Sequence, residues 1–158
     1  MKRYLRATTA FSLVEVTLAL GVAAFCLIAV FGLTAVGLMT QQASVRQTTA
    51  TAIISQIVAD LGAATRLPPG QQSKQFSLTG HWAAQATPDQ LYFMTDGTFI
   101  VGSTNQQTAP ANAVFMAAVT YLQPPTETTS LADITVTWPA QAAVPTGSVE
   151  TFAAINRK

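Results

Sequence analysis

A long uncharged apolar stretch near the start of the chain restricts its fold more than any other feature. No charged residue occurs from Val16 to Val45, although the 158-residue chain carries seven acidic and eight basic residues. The part from Val16 to Met39 is about 24 residues long, enough for a helix rising roughly 1.5 Å per residue to cross a hydrocarbon core of about 30 Å. The sequence therefore predicts a membrane-spanning helix joined to a more polar remainder.

Basic residues precede this stretch and predict its orientation. Lys2, Arg3 and Arg6 lie within the first ten residues, and no comparable basic cluster follows the apolar run. The positive-inside rule places the N-terminus in the cytoplasm, so the chain from about residue 45 onward is expected outside the cytoplasmic membrane. The rest of the chain is slightly acidic, which gives nucleic-acid binding little electrostatic support.

Glu15 is an ionisable residue at the edge of the apolar run. A carboxylate one turn into an apolar helix costs roughly 2.5 to 3.5 kcal/mol on insertion scales, and such a residue is a functional hypothesis by default. The alternative is that Glu15 lies at the level of the lipid headgroups, with the helix beginning near Val16.

The residues around Glu15 resemble a known processing site. The segment Ala10-Phe11-Ser12-Leu13-Val14-Glu15 is similar to the cleavage site of type IV prepilins and type II secretion pseudopilins. Their pattern is a small residue, usually Gly, followed by Phe-Ser/Thr-Leu-Val/Ile-Glu. The basic leader and the apolar run also follow in the family's order, and the departure is Ala10, where the family mostly has Gly.

This resemblance implies processing, partners and a function. It implies that a membrane-embedded prepilin peptidase cuts between Ala10 and Phe11 and methylates the new amine of Phe11. It implies other pilin or pseudopilin subunits as partners, with Glu15 of one subunit pairing with the amine of its neighbour and setting the axial register. The chain would then be a filament subunit, a minor pilin or pseudopilin, held in inner-membrane lipid by a single pass.

A second interpretation remains open from the sequence. The chain could be a signal-anchored or secreted binding protein that forms no filament. In that case Ala35-Val36-Gly37 would serve as a signal-peptidase site, and the mature chain would begin near Leu38.

The predicted helix continues beyond the membrane segment and changes character. Residues 1–10 are assigned to the leader, 11–39 to the spanning or filament-core helix, and 40–67 to an amphipathic continuation. Its apolar residues recur at helical spacing and predict one buried stripe, formed by Ile53, Ile54, Ile57, Val58 and Leu61. Polar residues, namely Arg46, Gln47, Gln56 and Asp60, are expected largely on the other faces. Leu67-Pro68-Pro69-Gly70 is expected to end the helix.

Residues 68–158 are predicted to form a small extracytoplasmic sheet domain. An Asp96-Gly97 turn between two apolar runs predicts a hairpin, and strand patterns recur later in the chain. The expected strand segments are Leu91–Met94, Phe99–Val101, Ala113–Leu122, Ile134–Trp138 and Ser148–Ile155. The predicted fold class is α+β, with a long N-terminal helix packed on four to five antiparallel strands.

Residues able to carry catalysis or bind a metal are few. His81 is the single histidine and Cys26 lies in the apolar run, where it is read as a small hydrophobic residue. Asp89 and Asp96 flank a predicted strand, but two carboxylates without further oxygen ligands make a poor cation site. The sequence therefore predicts no catalytic residue, no cofactor site and no metal site.

Overall fold

The computed structural model describes residues 11–64, 66–67, 71–78, 87–122 and 129–156. It contains one long helix followed by four strands: α1 (Leu13–Ala64), β1 (Asp89–Phe93), β2 (Phe115–Leu122), β3 (Thr129–Trp138) and β4 (Gly147–Asn156). The predicted α+β class and antiparallel sheet are therefore confirmed. Ala10 and the rest of the leader, the Pro68-Pro69-Gly70 stop, and His81 lie outside the described residues.

The chain divides into two compact units, with the boundary between Ala43 and Ser44. In the described part of the first unit, α1 runs without a break through Gly32, as expected from the absence of proline before Pro68. Every side chain from Phe11 to Ala43 is exposed. The helix is long and apolar enough to cross a membrane, and its apolar side chains have no cover within the described part of this unit.

In the second unit, about the last four turns of α1 bury one stripe against the sheet. The buried helix residues are Ala50, Ile53, Ile54, Ile57, Asp60, Leu61 and Ala64. The predicted apolar stripe is confirmed, with Val58 half-buried at its margin. Five of these helix residues form one hydrophobic core with the inward-facing residues of the strands, namely Ala50, Ile53, Ile54, Ile57 and Leu61.

Asp60 departs from the predicted pattern, because its side chain lies in the core and is only 7% exposed. Its Oδ2 accepts hydrogen bonds from the Ser73 hydroxyl and, at 3.2 Å, from the Phe76 backbone N–H. The Ser73 hydroxyl oxygen in turn accepts the Leu78 N–H at 3.0 Å. A buried carboxylate is tolerated when donors surround it, so Asp60 fastens the segment 71–78 to the end of α1.

The sheet is an antiparallel meander in the order β1-β2-β3-β4. Side chains alternate between its faces, so Phe115, Ala117, Val119 and Tyr121 of β2 are buried while their neighbours are half-buried. The register pairs Val119 with Ile134 and Val136 with Val149. Because directly paired residues of an antiparallel sheet point to the same side, these residues line the face that packs on α1.

Four of the five predicted strand segments are confirmed with shifted ends. Strand β1 covers Asp89–Phe93, so it begins two residues earlier and ends one residue earlier than expected. Strand β2 begins at Phe115, two residues later than expected, and β3 begins at Thr129, five residues earlier. Strand β4 extends the predicted last segment by one residue at each end.

The predicted hairpin after β1 is wrong in its second strand. Phe99 pairs with Phe93 through an isolated bridge, and Ile100 N–H donates to the Tyr92 carbonyl at 2.9 Å, but no second strand forms and the chain turns from residue 101. The type I′ turn that Asp-Gly favours needs two positive φ angles, but in this connection Gly97 (φ 82°) alone adopts one. The connection is longer, closed by Met94 N–H donating to the Thr98 carbonyl at 2.9 Å.

Aromatic packing supports the core in place of disulfides. Phe76, Phe93 and Phe99 form a cluster with ring centroids 5.0 to 5.7 Å apart and mostly edge-on. Such arrangements add about 0.5 to 1.5 kcal/mol per pair beyond area burial.

Candidate functional site

The N-terminal end of α1 is built around Ser12. The Ser12 carbonyl accepts hydrogen bonds from Glu15 N–H at 3.0 Å and Val16 N–H at 3.2 Å, which makes Ser12 the N-cap residue. Serine is favoured at this position because its side chain can satisfy a free N–H of the first turn. The helix therefore begins at Leu13, and Phe11 lies directly before the cap with its side chain 79% exposed.

Glu15 occupies the third helical position, in the first turn of α1. The positive end of the helix dipole favours a carboxylate there by about 0.3 to 1 kcal/mol. Because α1 begins at Leu13, three residues before Val16, Glu15 lies inside the helix rather than before it. Ser12 and Glu15 also have the spacing of a capping box, a signal present in the sequence that apolar periodicity alone does not reveal.

The threonine hydroxyls of the apolar helix donate hydrogen bonds to backbone carbonyls of the same helix. Thr17 donates to the Val14 carbonyl at 2.9 Å, Thr34 to the Val30 carbonyl at 2.8 Å, and Thr40 to the Val36 carbonyl at 3.0 Å. Such hydrogen bonds allow a threonine to enter an apolar phase without leaving its hydroxyl donor unsatisfied. From Leu13 to Thr40, Glu15 is the one oxygen-bearing side chain with no hydrogen-bond partner within the described chain.

The glycines of the apolar helix are not required by its own packing. A Cβ built on Gly21, Gly32 or Gly37 meets nothing within 4 Å. Each glycine nevertheless weakens a helix by about 0.8 to 1.0 kcal/mol relative to alanine. Nothing in the described chain offsets this cost, whereas close approach of another helix would.

Besides the hydrogen bonds of Asp60 and Ser73, the described part of the sheet domain contains a buried polar cluster at the start of β1. Asp89, only 7% exposed, accepts Asn105 Nδ2 at 2.9 Å and lies 3.4 Å from the Tyr121 hydroxyl. Burial, followed by the adjacent Asp89 carboxylate, raises the pKa of Tyr121. The Asn105 Oδ1 accepts the Gln90 N–H at 2.8 Å, so the cluster fixes the loop over the outer edge of β1.

Asp89 and Asp96 do not form a common cation site. Asp89 is the first residue of β1 and Asp96 lies beyond its other end. Asp96 Oδ1 accepts the Thr98 N–H at 2.9 Å, and this hydrogen bond holds the pKa of Asp96 below its usual value. Among the described residues, no three His, Cys, Asp or Glu side chains come together as metal ligands do.

The two described residues of the predicted processing and assembly site, Phe11 and Glu15, lie at the same end of α1, whereas Ala10 falls outside the described residues. Cys26 is exposed on the apolar helix. Ala35, Val36 and Gly37, the alternative cleavage segment, lie inside the continuous helix.

Comparisons with known proteins give no match: no family profile, no curated protein and no solved structure is significantly similar to this chain.

Proposed function

We propose that the chain is a structural subunit of a filament of the type IV pilus or type II secretion kind, a minor pilin or pseudopilin. In this proposal a prepilin peptidase removes residues 1–10 and methylates the amine of Phe11. The N-terminus faces the cytoplasm before assembly, and the sheet domain is extracytoplasmic. The subunit then assembles with other pilin or pseudopilin subunits through α1.

The observation that carries the proposal is that the Glu15 carboxylate has no hydrogen-bond partner in the described chain, although the other polar side chains of the apolar helix have one. The threonine hydroxyls of the span bond to their own helix, yet one carboxylate remains unpaired. Its cost of roughly 2.5 to 3.5 kcal/mol in an apolar phase exceeds the 0.3 to 1 kcal/mol that the helix dipole returns. A cation from outside the described chain would offset the remainder of this cost.

An amine created at Phe11 has the right chemistry for this partner. It would lie at the same end of the helix as Glu15, so an axially shifted neighbour could bring its amine against the carboxylate. Each charge lowers the cost of burying the other. The glycines of the apolar helix support close approach of neighbouring helices. Within one copy each of them has space for a Cβ, so the packing of that copy does not require glycine there.

Mass spectrometry of the N-terminus of protein taken from the native membrane tests the processing step. The expected product begins at Phe11 and carries one methyl group on its amine. A product that retains Met1 in every copy, or that begins near Leu38, would refute the proposal and support an anchored or secreted binding protein.

Substitution of Glu15 tests the assembly step. Glu15→Ala and Glu15→Gln should both insert into the membrane at least as well as the parent, since the charge penalty is gone, while the yield of filaments falls at least tenfold. Glu150→Gln, which removes an exposed carboxylate on β4, is the matched control and should assemble normally. Filament yield that is unchanged in both Glu15 variants would contradict the role of the carboxylate.

A further inference from the structure

The sheet has a second face that points away from α1, and part of it is apolar and uncovered. The register places Leu122 opposite Leu131, Leu131 opposite Ala154 and Asp133 opposite Phe152. These five residues, Leu122, Leu131, Asp133, Phe152 and Ala154, are called the outer-face patch. Phe152 is 62% exposed and Leu131 is 40% exposed.

Asp133 is a carboxylate in this patch that lacks a hydrogen-bond donor. Its Oδ1 is buried and accepts no hydrogen bond within the described residues. A buried acceptor without a donor is unfavourable, and a charged one is more so. Phe152, directly opposite on β4, adds a large apolar surface beside the charge. An exposed aromatic residue next to an unpaired carboxylate is suited to a partner that offers a cation flanked by apolar side chains.

The chain itself presents a surface with that chemistry. The described cations Arg46, Arg66 and Lys74 are all exposed, and none forms an ion pair with a described residue. Arg46 is the one that adjoins an exposed apolar residue on a helix, since Val45 is 57% exposed. An arginine also donates charge-assisted hydrogen bonds to a carboxylate oxygen.

We infer that the outer-face patch of one copy binds α1 of a second copy around Val45 and Arg46, with the Arg46 guanidinium donating to the Asp133 carboxylate. The inference rests on the proposed function and adds a contact between sheet domains to it. The two surfaces differ, so the contact is heterologous, and repeating it generates an open chain of subunits when the rotation does not close a ring. A filament requires such a contact, whereas a closed dimer does not.

Cross-linking between two differently tagged full-length copies in the membrane tests the contact. Both copies carry Cys26→Ser, which removes the native thiol. One also carries Ala154→Cys on the patch, and the other carries Gln47→Cys beside Arg46, so the residues that make the contact stay intact. Val144→Cys replaces Ala154→Cys in the control, because Val144 is 80% exposed and precedes β4 outside the patch.

We expect a short bis-maleimide reagent to give about tenfold more heterodimer with the Ala154→Cys copy than with the Val144→Cys copy. Asp133→Asn or Phe152→Ser should each remove most of this difference. Asp133→Arg and Arg46→Asp should each abolish it alone and restore it when combined. Thermal melting of each variant checks that the sheet domain remains folded.

Equal cross-linking by Ala154→Cys and Val144→Cys copies overturns the inference, as does an unchanged yield with Asp133→Asn and Phe152→Ser. A separate pair of copies, both carrying Leu20→Cys, reports contact between the apolar helices. When the Leu20→Cys pair cross-links but the patch does not, the inference fails and the proposed function survives. Failure of the Leu20→Cys pair counts against the proposed function itself.

Discussion

Replacement of Gly147 by alanine is expected to destabilise the sheet domain through a single contact. Gly147 is paired with Trp138 across β3 and β4. A Cβ added at Gly147 would lie 2.4 Å from Cζ2, 2.5 Å from Cε2 and 2.7 Å from Nε1 of the Trp138 indole. Carbon atoms prefer separations of about 3.5 to 4.0 Å, so the ring must move by roughly 1 Å.

The indole has little room for this movement. Trp138 is 8% exposed, and its ring packs edge-on against Phe115 with centroids 5.9 Å apart. Forcing an extra methyl group into a packed site costs about 1 to 3 kcal/mol. For a domain of this size the melting temperature should fall by about 4 °C for each kcal/mol, so we expect Gly147→Ala to melt about 4 to 12 °C lower.

Thermal unfolding of the detergent-solubilised full chain, followed by near-ultraviolet circular dichroism, measures this effect because that signal reports packed aromatic rings. Gly62→Ala is the matched control. Gly62 lies in α1, and an added Cβ there meets nothing within 4 Å. This control should leave stability unchanged or raise it by up to about 1 kcal/mol, since alanine favours helix.

A double-mutant cycle decides whether the indole is the cause. In a Trp138→Leu background the added methyl group has space, so Gly147→Ala should then cost less than about 0.5 kcal/mol. The same large cost in both backgrounds would refute the steric explanation.

Three further predictions concern the sheet domain. Asp60→Ala removes the acceptor of two buried donors and should lower the free energy of unfolding by about 2 to 4 kcal/mol in urea titrations. Phe93→Ala should cost about 3 to 5 kcal/mol, against less than about 0.5 kcal/mol for the exposed Val144→Ala control; equal losses would contradict the assigned core. Because the Thr98 N–H lowers the pKa of Asp96, the stability that this bond contributes is present above about pH 4 and is lost as the pH falls through the folded-state pKa. The difference in melting temperature between the parent and Asp96→Asn should therefore shrink from pH 6 to pH 3, and a difference that grows would contradict this sign.

The sequence predicted the features that depend on neighbouring residues. The length and apolar character of the stretch after Val16 were enough to predict a continuous helix. The i, i+3 and i+4 spacing of the isoleucines identified the buried stripe of its second half. Alternation from Ile134 to Trp138 identified the face of β3 that packs on α1. These patterns are local, because helix and strand periods repeat within a few residues.

The connection after β1 is a feature that the local sequence pattern did not predict correctly. Asp96 and Gly97 predicted a tight turn, but the Thr98 N–H bonds to the Asp96 side chain and the connection lengthens. The Phe99 ring then packs on Phe76, 23 positions earlier in the chain, rather than extending a strand.

The sequence by itself determined that one carboxylate, Glu15, lies in a long apolar helix, because the order of charged and apolar residues is enough to show this. Tertiary structure alone decided which polar residues are buried and which of them lack a partner. Asp60 is satisfied by Ser73 and Phe76, donors that lie 13 and 16 positions later in the chain. Asp133 Oδ1 lies buried on β3 without a hydrogen-bond partner within the described residues. Contacts between distant segments set the hydrogen bonding of buried groups, and no local pattern encodes them.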